Sequence, residues 1–158
     1  MTVYFKNSKI TPHFTVSEYN MDSSSDCFMN SDTLVFIQCI EEFRVWVARP
    51  MYVTSWFRSY AVNKAVGGIS SSNHLTGTAM DFYCKNISYA DKFIKYVKKW
   101  NQICKTHGRV AEAGLYTWGF HFGIQNPSQA VSNGNRLFHW DSRTGTQINK
   151  PFRELNLL

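Results

Sequence analysis

Residues 72–84 read SNHLTGTAMDFYC, a polar turn that runs directly into an alternating segment. From residue 78 to residue 84, large apolar side chains alternate with a second set that includes polar ones. This alternation predicts a β-strand with one face toward a core. Asp81 lies on the other face of this predicted strand. Because the strand follows a turn that contains His74, it can bring the Asp81 carboxylate back to the His74 imidazole. The stretch therefore predicts both a strand and a candidate site on one of its faces.

Two amphipathic helices are predicted, one on each side of this segment. The first begins at Ser31 or Asp32, which are good N-cap residues, and ends before Pro50. The second begins at Ser88, where Asp91 completes the N-terminal signal. Both carry apolar side chains at spacings of three and four, the period of one helix face. These side chains are Phe36, Ile40, Phe43 and Val47 in the first helix and Phe93, Val97, Trp100 and Cys104 in the second.

Aromatic and β-branched residues mark the other predicted strands. These are MYVTSW at 51–56 and segments near Leu115, 120–124 and 137–140. Short helices are predicted within FTVSEY at 14–19 and at 60–66, before two glycines. No repeat or linker interrupts the pattern, so we expect one domain over residues 1–158. Its predicted class is α+β, with helices packed on a small, mostly antiparallel sheet.

The composition is that of a globular chain. Hydrophobic residues make up 44% of the 158 residues and charged residues 18%, which excludes a disordered or coiled-coil protein. The sequence has no apolar run of the roughly 18 residues that cross a bilayer, and Met1 to Ser8 lacks a secretory apolar core. We therefore expect synthesis in the cytoplasm without a signal peptide and no membrane-spanning segment. The dispersed cysteines, expected to be buried thiols, are Cys27, Cys39, Cys84 and Cys104.

The net charge of +6 favours an anionic partner. Nucleic acid is disfavoured, because no recognised binding motif is present and the aromatic residues alternate as core residues do. The densest basic cluster lies on the second long helix, where a solvated outer face is the expected role. Its members are Lys92, Lys95, Lys98 and Lys99.

His74 and Asp81 are two side chains of the kind that hold a catalytic zinc ion. Such a site takes about three protein ligands from nitrogen and oxygen donors and leaves one position for water. One histidine and one aspartate seven residues apart are weak evidence by themselves, because a loop histidine and a paired aspartate are common. The wider sequence pattern adds the stronger evidence.

The spacing SxHxxGxAxD at 72–81 resembles the first zinc motif of the D-alanyl-D-alanine carboxypeptidase (M15) family. HFTVSEY at 13–19 is similar to the amino-terminal FxxxE signature of that family. VTSWFRS at 53–59 and VNKAVGG at 62–68 are similar to its SGYRS and VN…VGG block. The segments occur in the family's order, and this order makes coincidence a poor explanation.

The resemblance implies a zinc-dependent hydrolase of D-alanine-containing peptides of peptidoglycan, with the fold of the M15 and Hedgehog DD-peptidase group. It implies that His74 and Asp81 are zinc ligands and that Arg58 binds substrate and stabilises the developing oxyanion. The choice between carboxypeptidase and cross-link endopeptidase stays open. A small form without an export signal resembles the lytic enzymes of bacterial viruses, so the expected site of action is the bacterial cell wall.

The third zinc ligand has two candidates. In WGFHFGI, His121 lies opposite apolar neighbours on a predicted strand, and we favour it because this strand follows Leu115 as the family's ligand strand follows a hairpin. In RLFHWD, His139 shares a face with Asp141, and HWDSR resembles an HxDxR ending in some relatives. If His121 is the ligand, His139 is expected to be a neighbour or a substrate contact.

The general base is the least defined part of the predicted site. Many relatives have an acid three residues before the last histidine, where this chain has Trp118 before His121 and Arg136 before His139. Glu112 is the nearest upstream acid and is the predicted general base, with Asp141 in reserve. The lack of an acid three residues before either histidine also supports an alternative function, an inactive zinc-fold module that binds wall peptides or a protein.

Overall fold

The computed structural model describes residues 8–143 and the backbone of 148–151. Its helices and strands include most of the predicted elements. The helices are α1 (Val16–Tyr19), α2 (Ser31–Val47), α3 (Tyr60–Ala65), α4 (Tyr89–Thr106) and α5 (Pro127–Ser132). The strands are β1 (Tyr52–Ser55), β2 (Ala79–Tyr83), β3 (Ala111–Leu115), β4 (Phe120–Ile124), β5 (Phe138–Asp141) and β6 (Ile148–Pro151).

The described strands form one sheet in the order β1-β2-β4-β3-β5-β6. Within it β3 and β5 run parallel, and every other described neighbour pair is antiparallel. The α+β class with a mostly antiparallel sheet is therefore confirmed. A short 3₁₀ helix at Asn73–Thr76, α5 and β6 were not among the predicted elements.

Helix α2 begins at Ser31, one residue earlier than a cap at Ser31 would allow. Asn30 is its N-cap, and the Asn30 side chain accepts a hydrogen bond from the backbone N–H of Thr33. The Thr33 hydroxyl in turn accepts from the backbone N–H of Asn30, which completes a capping box. The helix ends at Val47, where Ala48 takes a left-handed conformation ahead of Pro50. The predicted helix is correct, and its cap lies one residue upstream.

Helices α2 and α4 cover one face of the sheet. Their apolar stripes meet the rings of the central strands, as in the contacts of Phe43 and Trp100 with Phe122. The indole N–H of Trp100 also reaches the sheet backbone, 3.1 Å from the carbonyl oxygens of Glu112 and Gly123. Helix α4 is thereby fixed over the β3–β4 hairpin, and this face is the hydrophobic core.

The opposite face of the same strands carries polar residues and glycines. Cross-strand register places Asp81 beside His121, and His121 beside Gly114. Two residues further along β4, on the same face, Gly123 pairs with Ala79 of β2 and with Glu112 of β3. Because side chains on a strand alternate between faces, the apolar core face fixes which residues lie on this polar face.

An aromatic cluster closes the fold beside this polar face. Trp56 is fully buried and makes edge-to-face contacts with Phe14, Tyr19 and Phe36. Its indole N–H donates to the carbonyl oxygen of Gly77, at 2.9 Å. The amino-terminal segment and α2 therefore hold the turn that precedes β2.

Two further expectations concern the described residues. Cys39, Cys84 and Cys104 are buried free thiols, and Cys27 is half-buried and also free. No described helix combines the length and the apolar character needed to cross a membrane.

Gly77 gives a test of this packing. It has a positive φ of 66°, and a Cβ there would overlap the Tyr19 ring and hydroxyl. Gly67 also has a positive φ, 74°, but a Cβ there meets nothing within 4 Å. We expect Gly67→Ala to cost about 1–2 kcal/mol of unfolding free energy through its backbone conformation. Gly77→Ala should cost about 1–3 kcal/mol more because of the overlap, as measured by urea unfolding. Equal losses would mean that the Tyr19 contact does not constrain the turn.

Candidate metal centre

Asp81 and His121 meet at the centre of the polar face because β2 pairs with β4. The Asp81 Oδ1 atom lies 2.8 Å from His121 Nδ1. Both side chains are buried, with 8% and 6% of their side-chain surface exposed. The sequence alternation predicted that Asp81 lies on the face opposite the apolar residues, and the register adds the histidine beside it.

His74 enters from the 3₁₀ helix that precedes β2. Its Nδ1 lies 2.7 Å from the carbonyl oxygen of Trp56, so this nitrogen donates and Nε2 is left toward the site. Its own carbonyl oxygen accepts from the backbone N–H of Arg58. His74 Nε2 lies 3.3 Å from Asp81 Oδ2, and its ring centroid lies 5.1 Å from that of His121.

These three side chains fit a metal ion. One ligand atom from each of His74, Asp81 and His121 lies within 4.8 Å of the others, and all three residues are buried. Two imidazole nitrogens and one carboxylate oxygen are a donor set that zinc takes in catalytic sites. In each histidine the second nitrogen has an acceptor, the Trp56 carbonyl for His74 and Glu112 for His121. Such partners fix the tautomer and the ring orientation of a metal-binding histidine.

Arg58 lies at the edge of this cluster. Its Nη2 donates to Asp81 Oδ2 at 2.7 Å, and its Nε donates to the Ser55 hydroxyl at 2.7 Å. The side chain is 17% exposed, so the guanidinium lies at the border between the cluster and solvent. A guanidinium carries five N–H donors, so donors remain beyond these two contacts.

Glu112 is also at the cluster, on the far edge of the His121 ring. Its Oε1 lies 2.8 Å from His121 Nε2, and the residue is buried. His121 therefore lies between two carboxylates, with Asp81 at Nδ1 and Glu112 at Nε2.

The charges of the cluster shift its proton equilibria. Burial raises the pKa of Asp81, but the neighbouring His74 and His121 outweigh burial and hold that pKa well below its usual range. For His121, burial lowers the pKa, and the hydrogen bonds to Asp81 and Glu112 outweigh it and raise the pKa to about 9. Both shifts favour the charged form of the group, because Asp81 and His121 each lie beside partners of opposite charge.

The arrangement agrees with a comparison against protein families. The model of the Peptidase M15 family matches residues 12–114. The chain belongs to the Peptidase M15 family. M15 peptidases are metal-dependent, and membership supports metallopeptidase activity on cell wall peptides. No curated protein gave a significant match.

The matched part of the M15 peptidase includes Arg58, His74, Asp81 and Glu112 but ends before His121. The family match does not cover His121. Its place in the candidate site is shown by strand pairing, which sets it opposite Asp81.

The structure does not bring His139 or Asp141 to the cluster. His139 pairs with Ala113, on the face of the sheet that α2 and α4 cover. Asp141 pairs with the core residue Leu115, and its carboxylate is held by the Arg143 guanidinium. In the M15 fold of this chain the sheet itself separates these two side chains from Asp81 and His121.

Two aromatic residues at the site were not among the predicted site residues. The Trp140 ring packs on His121, with centroids 4.7 Å apart, and occupies the space where Gly114 lacks a side chain. Burial raises the pKa of Tyr116, and the nearby charge of Asp81 raises it further, while a hydrogen bond with Trp140 opposes the rise. In the sequence, Gly114 was the one sign that a large side chain could pack here. It identifies that side chain as Trp140 only when the register of β3 with β5 is known.

The metal centre predicts a specific loss on mutation. His74→Ala removes one of three donors, so the purified protein should lose most of its bound zinc, whereas wild type retains about one ion per chain after dialysis. His107→Ala is the matched control, because His107 pairs with Glu42 away from the cluster. Elemental analysis of the three proteins measures the difference. Equal zinc contents in all three would exclude this cluster as the site.

Proposed function

We propose that this chain is a zinc metallopeptidase that hydrolyses D-alanine-containing peptide bonds in bacterial peptidoglycan. The observation that carries the proposal is the buried group His74, Asp81 and His121, with Arg58 bound to its central carboxylate. Membership of the Peptidase M15 family supports the reaction class and the wall substrate. The setting that we propose, from the sequence resemblance alone, is breakdown of the wall by a bacterial virus.

The proposed ligands are His74 Nε2, an Asp81 oxygen and His121 Nδ1. The Trp56 carbonyl holds the other nitrogen of His74, so the ring is oriented before a metal arrives. When bound in a site of this kind, zinc supplies polarisation of the scissile carbonyl and activation of a water molecule. The protein supplies a fixed, buried donor set for it.

Arg58 is the proposed contact to the substrate. Ser55 and Asp81 orient its guanidinium, and it lies partly exposed where a peptide can reach it. A planar, permanently charged guanidinium suits a terminal carboxylate or the oxyanion that develops on the scissile carbonyl. Arg58 would thus align the substrate with the cluster.

Trp140 and Tyr116 are the proposed wall of the substrate site. Trp140 is nearly buried and covers one side of the His121 ring. Tyr116 stacks on Trp118, with ring centroids 5.0 Å apart, and Trp118 is 45% exposed. Aromatic walls exclude water from the cluster side and leave an apolar surface for a small side chain such as that of alanine.

Digestion of purified peptidoglycan tests the proposal. Wild type with zinc should release soluble products, and His74→Ala should not. Mass spectrometry of the products separates the two reactions, because a carboxypeptidase releases free D-alanine and an endopeptidase divides cross-linked peptides. A zinc-loaded wild type that binds the wall and releases nothing would support the inactive binding module instead.

Arg58→Lys tests the substrate contact. Lysine keeps the charge but loses the planar fork, so the barrier to hydrolysis should rise by roughly 2–4 kcal/mol while zinc content is retained. Arg136→Lys, at an exposed arginine, is the control and should behave as wild type. Steady-state rates on a wall peptide measure the effect. Unchanged turnover in Arg58→Lys would restrict Arg58 to charge compensation of Asp81.

A further inference from the structure

The contact of Glu112 with His121 assigns this acid a role different from the one expected from sequence. Glu112 Oε1 lies 2.8 Å from His121 Nε2, and both residues are at least nine-tenths buried. The other ring nitrogen, Nδ1, lies 2.8 Å from Asp81 Oδ1. The two nitrogens of an imidazole point away from each other, so Glu112 and Asp81 contact opposite edges of the ring.

This geometry separates Glu112 from the place where a metal would bind. An ion shared by His74, Asp81 and His121 must lie on the Nδ1 edge of His121, because Asp81 lies at that edge. Glu112 then lies behind the ring, beside Nε2. A general base has to lie within hydrogen-bond reach of the water that it deprotonates. The position behind the ring suits an acceptor for Nε2–H.

The sheet is built to hold Glu112 there. Its cross-strand partner is Gly123, and a Cβ on Gly123 would lie 2.5 Å from Glu112 Oε1. The missing side chain leaves the space that the carboxylate occupies. The Trp100 indole N–H lies 3.1 Å from the carbonyl oxygens of both residues, so the backbone at this position is fixed from the core side.

We infer that Glu112 is a positioning residue for His121. It accepts a charge-assisted hydrogen bond from Nε2–H and thereby selects the tautomer that presents Nδ1 to the metal. This role rests on the proposed metal site and replaces the role of proton acceptor that the sequence suggested for Glu112.

Metal affinity, measured by competition with a chromophoric zinc chelator, tests the inference. Glu112→Ala should weaken zinc binding by about 10–100-fold, and Glu112→Gln, which keeps an acceptor oxygen, should weaken it less. Gly123→Ala should also weaken binding, because the new methyl group displaces a carboxylate that is still present. Glu42→Ala is the matched control, since it removes the carboxylate paired with His107 outside the site, and its zinc affinity should equal that of wild type.

Turnover on a wall peptide gives the second readout. A positioning role predicts that affinity and turnover fall together and that glutamine restores both better than alanine. If alanine and glutamine lose turnover equally, by about 100-fold or more, while zinc affinity stays at the wild-type value, Glu112 is the proton acceptor and the inference is wrong.

The remaining outcomes separate this inference from the proposed function. Wild-type affinity and wild-type turnover in Glu112→Ala would overturn the positioning role and leave the metal site intact. Failure of wild type itself to bind zinc would overturn the proposed function. Circular dichroism checks folding, and if Glu112→Ala is unfolded, Glu112→Gln and Gly123→Ala carry the comparison.

Discussion

The buried carboxylate of Asp81 is the group on which the site depends. A charge removed from water is costly unless it is paired and hydrogen-bonded. Here His74, His121 and Arg58 surround Asp81. Burial raises the pKa of Asp81, but the charges and hydrogen bonds of His74 and His121 hold that pKa well below its usual range. The same partners that compensate Asp81 are those that a metal or a substrate would engage. The contacts that compensate the buried charge of Asp81 are therefore also the contacts on which the proposed function depends.

The two faces of the sheet explain how so many polar groups can be buried together. On one face α2 and α4 supply the apolar burial that stabilises the fold. On the other face small residues make room for functional groups, Gly114 for the Trp140 ring and Gly123 for the Glu112 carboxylate. Trp56 connects the two regions, because it is packed in the core while its carbonyl oxygen holds His74. A stable core thus fixes the ligand geometry before any ion binds.

Sequence reasoning predicted the parts of the site that depend on local pattern. Alternation placed Asp81 and His121 on faces opposite their apolar neighbours, and the turn spacing linked His74 to Asp81. The choice between His121 and His139, by contrast, depends on long-range register, since β5 lies parallel to β3 and pairs His139 with Ala113. The contact of Glu112 with His121 Nε2 is also set by register, through the pair Glu112 and Gly123. Single-strand periodicity carries no information on which strand lies beside which.

Pairing of β2 with β4 is proposed to create one metal site from His74, Asp81 and His121. Anomalous diffraction at the zinc absorption edge, from crystals grown with zinc, tests it most directly. We expect an ion about 2.0–2.2 Å from His74 Nε2, an Asp81 oxygen and His121 Nδ1, with Glu112 on the opposite edge of the His121 ring. An ion coordinated by His139, or by His121 through Nε2 in the present position of Glu112, would contradict it.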